Sequence, residues 1–116
     1  MKYLEYKSYT GSIEYSREDD LLFGKVLGLN TLISYEGKTG NDLEFDFYNA
    51  IDTYLIDCKK DEILPEKPFK GSFNVRVSVE LHQKAALLAM QERKSLNSFV
   101  AESLRERIFR ETGDSV

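Results

Sequence analysis

The sequence predicts an α+β protein, in which a small antiparallel β-β-β-α segment is followed by a β-α-α segment that dimerisation completes. Three observations support this fold class. The hydrophobic period is two residues early in the chain, about 3.6 in the middle and two again later. Pro65 and Pro68 lie between these parts. The later strand has no partner strand in its own part of the sequence. We therefore expect domains at 1–64 and 72–116, joined by a linker at 65–71.

Composition excludes several classes of protein. Hydrophobic residues make up 41% and charged residues 31% of the 116 positions, which is typical of a folded chain. No apolar run has the length of a membrane span, and the N-terminus lacks a signal-peptide core. The single cysteine, Cys58, has no second cysteine with which to form a disulfide or a metal site. We expect a cytoplasmic protein without a metal or cofactor.

The first part reads as three strands and a helix. Alternating side chains predict a strand at residues 9–15, and an apolar run predicts another at 21–27. Gly28 and Asn30 then predict a turn into a third strand at 31–35. Thr39 and Asp42 resemble a capping box at the start of a helix. The apolar stripe of this helix comprises Leu43, Phe47, Ala50, Ile51, Tyr54, Leu55 and Cys58.

The second part reads as a strand and two amphipathic helices. Valines and Phe73 alternate with polar residues up to Ser78, which is placed to cap a helix at residues 79–93. A second helix begins after Ser95 with apolar residues at helical spacing. So short a segment cannot bury its own apolar faces. We therefore expect two copies to pair their strands antiparallel around a shared core. The predicted dimer core comprises Phe73, Val75, Val77, Leu81, Leu88, Leu96, Phe99, Val100 and Leu104.

The paired strands would form a two-stranded ribbon that presents Ser72, Asn74 and Arg76 from both chains. A ribbon of this kind fits the major groove of DNA, where Arg matches guanine and Asn matches adenine. These three residues are the predicted base contacts. The ordinary interpretation is that Asn74 and Arg76 are solvent-facing residues of an edge strand.

Two short motifs in the second part resemble the ribbon-helix-helix repressors. Residues 72–77 resemble their DNA-reading strand, and residues 94–98 resemble their inter-helix turn. The resemblance implies that backbone amides at this turn bind a DNA phosphate, as a helix N-terminus is suited to do. The implied phosphate contacts are Lys94, Ser95, Leu96, Asn97 and Ser98. The alternative is a plain helix cap.

The first part resembles the HicB antitoxin family at residues 9–16, 23–28, 34–37 and 47–55. This resemblance implies a partial RNase H-like domain that binds and blocks a small HicA-type toxin, an mRNA-cleaving ribonuclease. It also implies that the second part binds the operator of the toxin–antitoxin operon. The implied protein is a type II antitoxin, with operator DNA, the toxin and a second copy of itself as partners, and a dimer of dimers left open.

The charge is distributed unevenly, with a net −5 over residues 1–71 and +1 over residues 72–116. A toxin that handles RNA is expected to be basic, so an acidic inhibitor would meet it faster. The candidates for the acidic face are Glu14, Glu18, Asp19, Asp20, Glu36, Asp42, Glu44 and Asp46.

Two other functions remain open from the sequence. One is a solitary transcriptional regulator whose first domain binds another protein or an effector. The other is a residual nuclease that uses Glu18, Asp19 and Asp20, although adjacent acids on a tight turn do not converge on one ion. We expect no enzymatic activity. His82 is expected to have no functional role, since it has no Cys or His partner. Cys58 is expected to belong to the core, since it lies on the apolar stripe of its helix.

Overall fold

The computed structural model describes residues 2–116 and confirms the α+β class. The chain divides into two compact units, the first ending at Phe73 and the second comprising Asn74–Val116. None of the helices described is both long and apolar enough to cross a membrane. The elements, in order, are β1 (Leu4–Tyr6), β2 (Tyr9–Gly11), β3 (Glu14–Ser16), β4 (Leu21–Lys25), β5 (Ser34–Gly37), α1 (Gly40–Lys60), α2 (Val79–Gln91) and α3 (Leu96–Thr112).

The strands of the first unit form an antiparallel meander. β1 pairs with β2, and β3, β4 and β5 pair in that order. Gly11 at the end of β2 also bridges to Val26, in the same register that places Glu14 opposite Phe23. β2 and β3 are therefore two halves of the strand predicted at residues 9–15, interrupted at Ser12.

The interruption at Ser12 is stabilised by hydrogen bonds from outside the regular ladder. The Ser12 hydroxyl accepts a bond from the Lys25 amide at 3.0 Å, and the Ser12 carbonyl accepts one from the Tyr35 hydroxyl at 2.7 Å. Tyr35 is buried in the core, and this burial raises its pKa to about 12. The phenol therefore stays protonated and donating at neutral pH.

Strand β1 was not predicted from the sequence. Lys7 and Ser8, which join it to β2, have φ values of 49° and 69°. Such a pair of left-handed residues is typical of a type I′ turn, which Asn and Gly usually form. The Lys7 ammonium lies 2.8 Å from the Asp52 carboxylate on α1 and 5.1 Å from the centre of the Tyr6 ring. The turn is therefore formed by residues that do not indicate it, and its Lys7 side chain contacts a helix far away in the sequence.

Helix α1 lies on one face of the meander, as predicted. The Thr39 hydroxyl accepts a hydrogen bond from the Asp42 amide at 3.1 Å, which confirms the cap. The predicted apolar stripe is also confirmed. Its members Leu43, Phe47, Ile51 and Cys58 are buried, while Ala50, Tyr54 and Leu55 are partly buried. Leu43, Phe47 and Ile51 share a core with four residues from the strands and their connections: Tyr9, Val26, Ile33 and Tyr35.

Two glycines leave room for the Tyr35 hydroxyl to reach the Ser12 carbonyl on the neighbouring part of the sheet. A Cβ on Gly24 would lie 2.0 Å from the Ser12 carbonyl oxygen and 2.8 Å from the Tyr35 hydroxyl. A Cβ on Gly11 would lie 2.2 Å from the same hydroxyl. No other residue fits at either position without displacing backbone or the buried tyrosine.

We expect Gly24→Ala to lower the free energy of unfolding by about 1–3 kcal/mol, because the methyl group meets backbone that cannot move aside. The matched control is Gly40→Ala at the start of α1, where no atom lies within 4 Å of the added Cβ. The control should change stability by less than about 0.5 kcal/mol. Urea denaturation followed by circular dichroism measures both, and equal midpoints for the two variants would contradict the packing described.

Candidate DNA-binding and dimer interface

Both helices of the second unit begin at the serines predicted to cap them. The Ser78 hydroxyl accepts a hydrogen bond from the Leu81 amide, and the Ser95 hydroxyl accepts one from the Ser98 amide, each at 3.1 Å. α2 ends at Gln91, slightly before its predicted end. Arg93 then has a φ of 58°, which turns the chain into α3.

The second unit buries very little of its apolar surface. Within Asn74–Val116, all of which the structure describes, Ala89 is the only buried residue. Leu96 and Phe99 are half-buried. The other predicted dimer-core residues are exposed by 42–73% of their surface, a fraction typical of residues that nothing covers: Phe73 73%, Val75 66%, Val77 50%, Leu81 54%, Leu88 46%, Val100 43% and Leu104 42%.

The segment at residues 72–78 spans the boundary of the two units and pairs with no strand in the part of the chain described. Ser72, Asn74 and Arg76 are exposed, and so are the alternating apolar residues. The structure thus brings none of the three predicted base contacts into a site within one chain. Arg76 is not buried against its own chain. Burial there would have excluded its predicted role as a base contact.

The predicted phosphate contacts lie at the start of α3, where the cap already uses one of them. The Ser98 amide donates to Ser95, so it is engaged within the helix. The amides of Leu96 and Asn97 have no hydrogen-bond partner among the described residues, as is usual for a first turn. These two are the amides that remain for an anion.

Lys94, also a predicted phosphate contact, is held by acidic side chains of its own unit. Its ammonium donates to the Glu102 carboxylate and lies 3.7 Å from Glu92. The bond to Glu102 raises the pKa of Lys94, with the Glu92 charge adding to the effect. A phosphate would therefore compete with Glu102 for this ammonium. The sequence did not predict the pair, since its partners are eight positions apart across a turn, outside helical spacing.

The eight acidic candidates of the first unit lie on the sheet, in a turn and on α1, and the Asp46 carboxylate on α1 accepts a hydrogen bond from the Glu36 amide on β5 at 2.8 Å. Glu14 and Glu36 flank Phe23 in one row of the sheet, on the side away from α1. A second group follows β3 in the turn, and a third lies on α1. The members of the last two groups are Glu18, Asp19 and Asp20 in the turn, and Asp42, Glu44 and Asp46 on the helix.

The turn carboxylates accept hydrogen bonds from different neighbours. Asp19 accepts from the Ser16 hydroxyl at 3.3 Å, and Asp20 accepts from the Tyr15 hydroxyl at 3.0 Å. Among residues 2–116, no group of three or more His, Cys, Asp or Glu side chains is arranged to hold a metal ion.

Comparison with known proteins gives one match. Residues 54–104 match the model of the HicB family, a range that covers the end of α1, the proline-containing stretch, residues 72–78, α2 and half of α3. No curated protein and no solved structure matches the chain, so the partial RNase H-like assignment of the first part stays a prediction. The match supports a HicB-like assignment and, at that level, a role related to toxin–antitoxin systems. It overlaps the residues that carry the HicB resemblance in the sequence only at positions 54 and 55. Over residues 54–104, the chain is similar to the HicB family.

Proposed function

We propose that this protein is the antitoxin of a type II toxin–antitoxin system. In this proposal it neutralises a HicA-type mRNA-cleaving toxin through its first unit. It represses its own operon by binding operator DNA, as a homodimer, through residues 72–116. Such a protein acts in the cytoplasm, where operator and messenger RNA are found.

The uncovered apolar side chains between Phe73 and Leu104 carry the proposal. Burying a large aliphatic or aromatic side chain stabilises a fold by about 1.5–3 kcal/mol, so exposing seven of them leaves much stabilisation unused. A second copy supplies identical faces and an identical unpaired segment. Antiparallel pairing of two such segments would satisfy their backbone groups and turn Phe73, Val75 and Val77 towards the helices.

The same pairing supports DNA reading. It would set Asn74 and Arg76 from both chains on one exposed ribbon that fits the major groove. A net charge of +1 over residues 72–116 is too small to bind DNA by charge alone. Affinity would then depend on ribbon geometry, on two half-sites per dimer and on the Leu96 and Asn97 amides.

The acidic first unit supports a basic partner. Its net charge of −5 favours association with a ribonuclease that must itself attract RNA. We propose no catalytic role for the unit, because Asp19 and Asp20 are bonded to separate neighbours in the turn.

A solitary regulator, with another partner on the first unit, is the second candidate. The matched region is compatible with it because residues 54–104 leave most of the first unit outside the match.

We expect Val77→Asp to abolish dimerisation and operator binding together, since it would bury an unpaired charge in the shared core. The matched control is Val79→Asp, two positions later. Val79 is 87% exposed at the first position of α2, where a carboxylate suits the helix dipole. Sedimentation velocity distinguishes monomer from dimer. A monomeric wild type, or a dimeric Val77→Asp variant with normal affinity, would show that the ribbon assignment is wrong.

We expect Arg76→Ala to weaken operator binding by about 1–3 kcal/mol per half-site and to relax its sequence preference. The reason is loss of a bidentate contact to guanine, and the dimer should stay intact. Arg105→Ala, which removes the same charge from an exposed position of α3, is the control. Fluorescence anisotropy on the promoter fragment of its own gene, at one salt concentration, measures both. Equal affinities for wild type and Arg76→Ala would refute the predicted base contact.

Co-expression tests the toxin half of the proposal. A small basic protein encoded next to this gene should arrest growth alone and be harmless with the wild-type protein. Arg76→Ala should protect equally well, since it changes only the DNA-reading ribbon. Continued arrest in the presence of a folded, dimeric wild type would favour the solitary regulator.

A further inference from the structure

Residues 66–69, here called the strap, are bound to the first unit although the sequence predicts a linker there. The Glu66 carboxylate accepts hydrogen bonds from the Asn30 amide at 2.8 Å and the Thr31 amide at 2.9 Å. The Thr31 hydroxyl donates to the same carboxylate. These bonds lower the pKa of Glu66, the hydroxyl having the largest effect, so the carboxylate is ionised at neutral pH.

The strap backbone is hydrogen-bonded at Glu66 and again at Phe69. The Glu66 amide donates to the Tyr54 hydroxyl on α1 at 2.9 Å, and the Tyr9 hydroxyl on β2 donates to the Glu66 carbonyl at 3.2 Å. Further along, the Phe69 amide donates to the Gly28 carbonyl at 3.3 Å. A helix, a strand and a loop therefore each hold the strap.

The end of the strap, at Phe69, lies against Gly28. Its φ of +76° is the left-handed conformation that glycine adopts most easily. A Cβ there would also lie 2.8 Å from the Phe69 ring. The ring itself is 64% exposed, so it rests on the surface of the unit and is not part of the core.

The residues on either side of the strap lack such contacts. Leu64 is 91% exposed. Gly71 has no atom within 4 Å of the position of an added Cβ and has a φ of +84°. The strap is thus a short bound segment between two open ones, and among residues 2–116 its charged hydrogen bonds are those of Glu66.

We propose that the strap is a latch, closed by Glu66, that sets how much free chain precedes the segment at residues 72–78. With the latch closed, only Lys70 and Gly71 separate the last strap contact from Ser72, a reach of about 7 Å. With the latch open, the free chain begins after Ile63, whose amide donates to the Cys58 carbonyl, and the reach becomes about 25–30 Å.

The latch itself rests only on these contacts, while its effect on a DNA-bound dimer rests on the proposed function. A closed latch would hold the first unit on a short tether to the ribbon. An open one would let the first unit move freely and would expose residues 64–71 to solvent. Ligands of the first unit that cover the Asn30–Thr31 amides would compete with Glu66 and open the latch.

Amide hydrogen exchange on the full-length protein tests the latch without DNA or toxin. Glu66→Ala should speed exchange at the amides of Asn30, Thr31 and Phe69 by about tenfold or more, because charged hydrogen bonds are lost there. Exchange at Phe47, in the middle of α1, should not change. Glu66→Gln should give a smaller effect in the same direction. The control is Glu62→Gln, an exposed carboxylate just before the strap.

Equal exchange in wild type and Glu66→Ala would show that Glu66 does not close the strap. Acceleration that is as large at Phe47 would show that Glu66 stabilises the whole unit and is not a latch. Either outcome leaves operator binding untouched, so failure of the latch and failure of the proposed function can be told apart.

The tether length is tested by measuring the distance between two spin labels, attached to cysteines introduced by Lys38→Cys and Lys84→Cys. The native cysteine is removed by Cys58→Ser so that it is not labelled. An excess of unlabelled chain ensures that both labels of a measured pair belong to one chain. Glu66→Ala should broaden the distribution of label-to-label distances, compared with the labelled protein that keeps Glu66 and with the Glu62→Gln control. An unchanged width would overturn the proposed role in setting the tether.

Discussion

The main constraint on this molecule is that its second unit cannot cover its own apolar faces. A strand-length segment and two helices offer one layer of side chains and no opposing layer, and the result is a unit with one buried residue, Ala89. A domain of this size is marginally stable alone, and the proposed second copy would supply an opposing surface. The shape of the helices, their caps and the tight turn at Arg93 are all local properties and form without that partner. What the partner would add is the core.

This division explains which parts of the fold could be predicted from the sequence. The helices and their serine or threonine caps follow from local spacing and hydrogen bonding, so α1, α2 and α3 were predicted with small errors at their ends. The hairpin at Lys7 was not, since Lys7 and Ser8 adopt left-handed conformations that Asn and Gly usually supply. The third strand was predicted too early. The Thr31 amide bonds to Glu66, and pairing with β4 in a named strand begins only at Ser34.

The candidate site shows the same limit. Alternation alone placed Asn74 and Arg76 on the polar face, and the structure leaves both exposed. Sequence spacing did not predict the ion pair of Lys94 with Glu102, which couples the turn to the middle of α3. Nor did it show that the acidic residues of the first unit are distributed over three places. Charge counts along a chain give the net field of a unit, whereas the direction of each side chain depends on register and turn geometry.

The break in the meander at Ser12 makes the sheet and helix α1 depend on one side chain. Where a strand departs from its ladder, a backbone carbonyl usually loses its hydrogen-bond partner. Here the Tyr35 phenol donates to the Ser12 carbonyl, so that carbonyl stays satisfied. The ring of the same residue packs against Phe47 of α1, with the two ring centres 4.9 Å apart. Truncating this phenol would therefore leave the backbone of one strand and the packing of the helix incomplete at once.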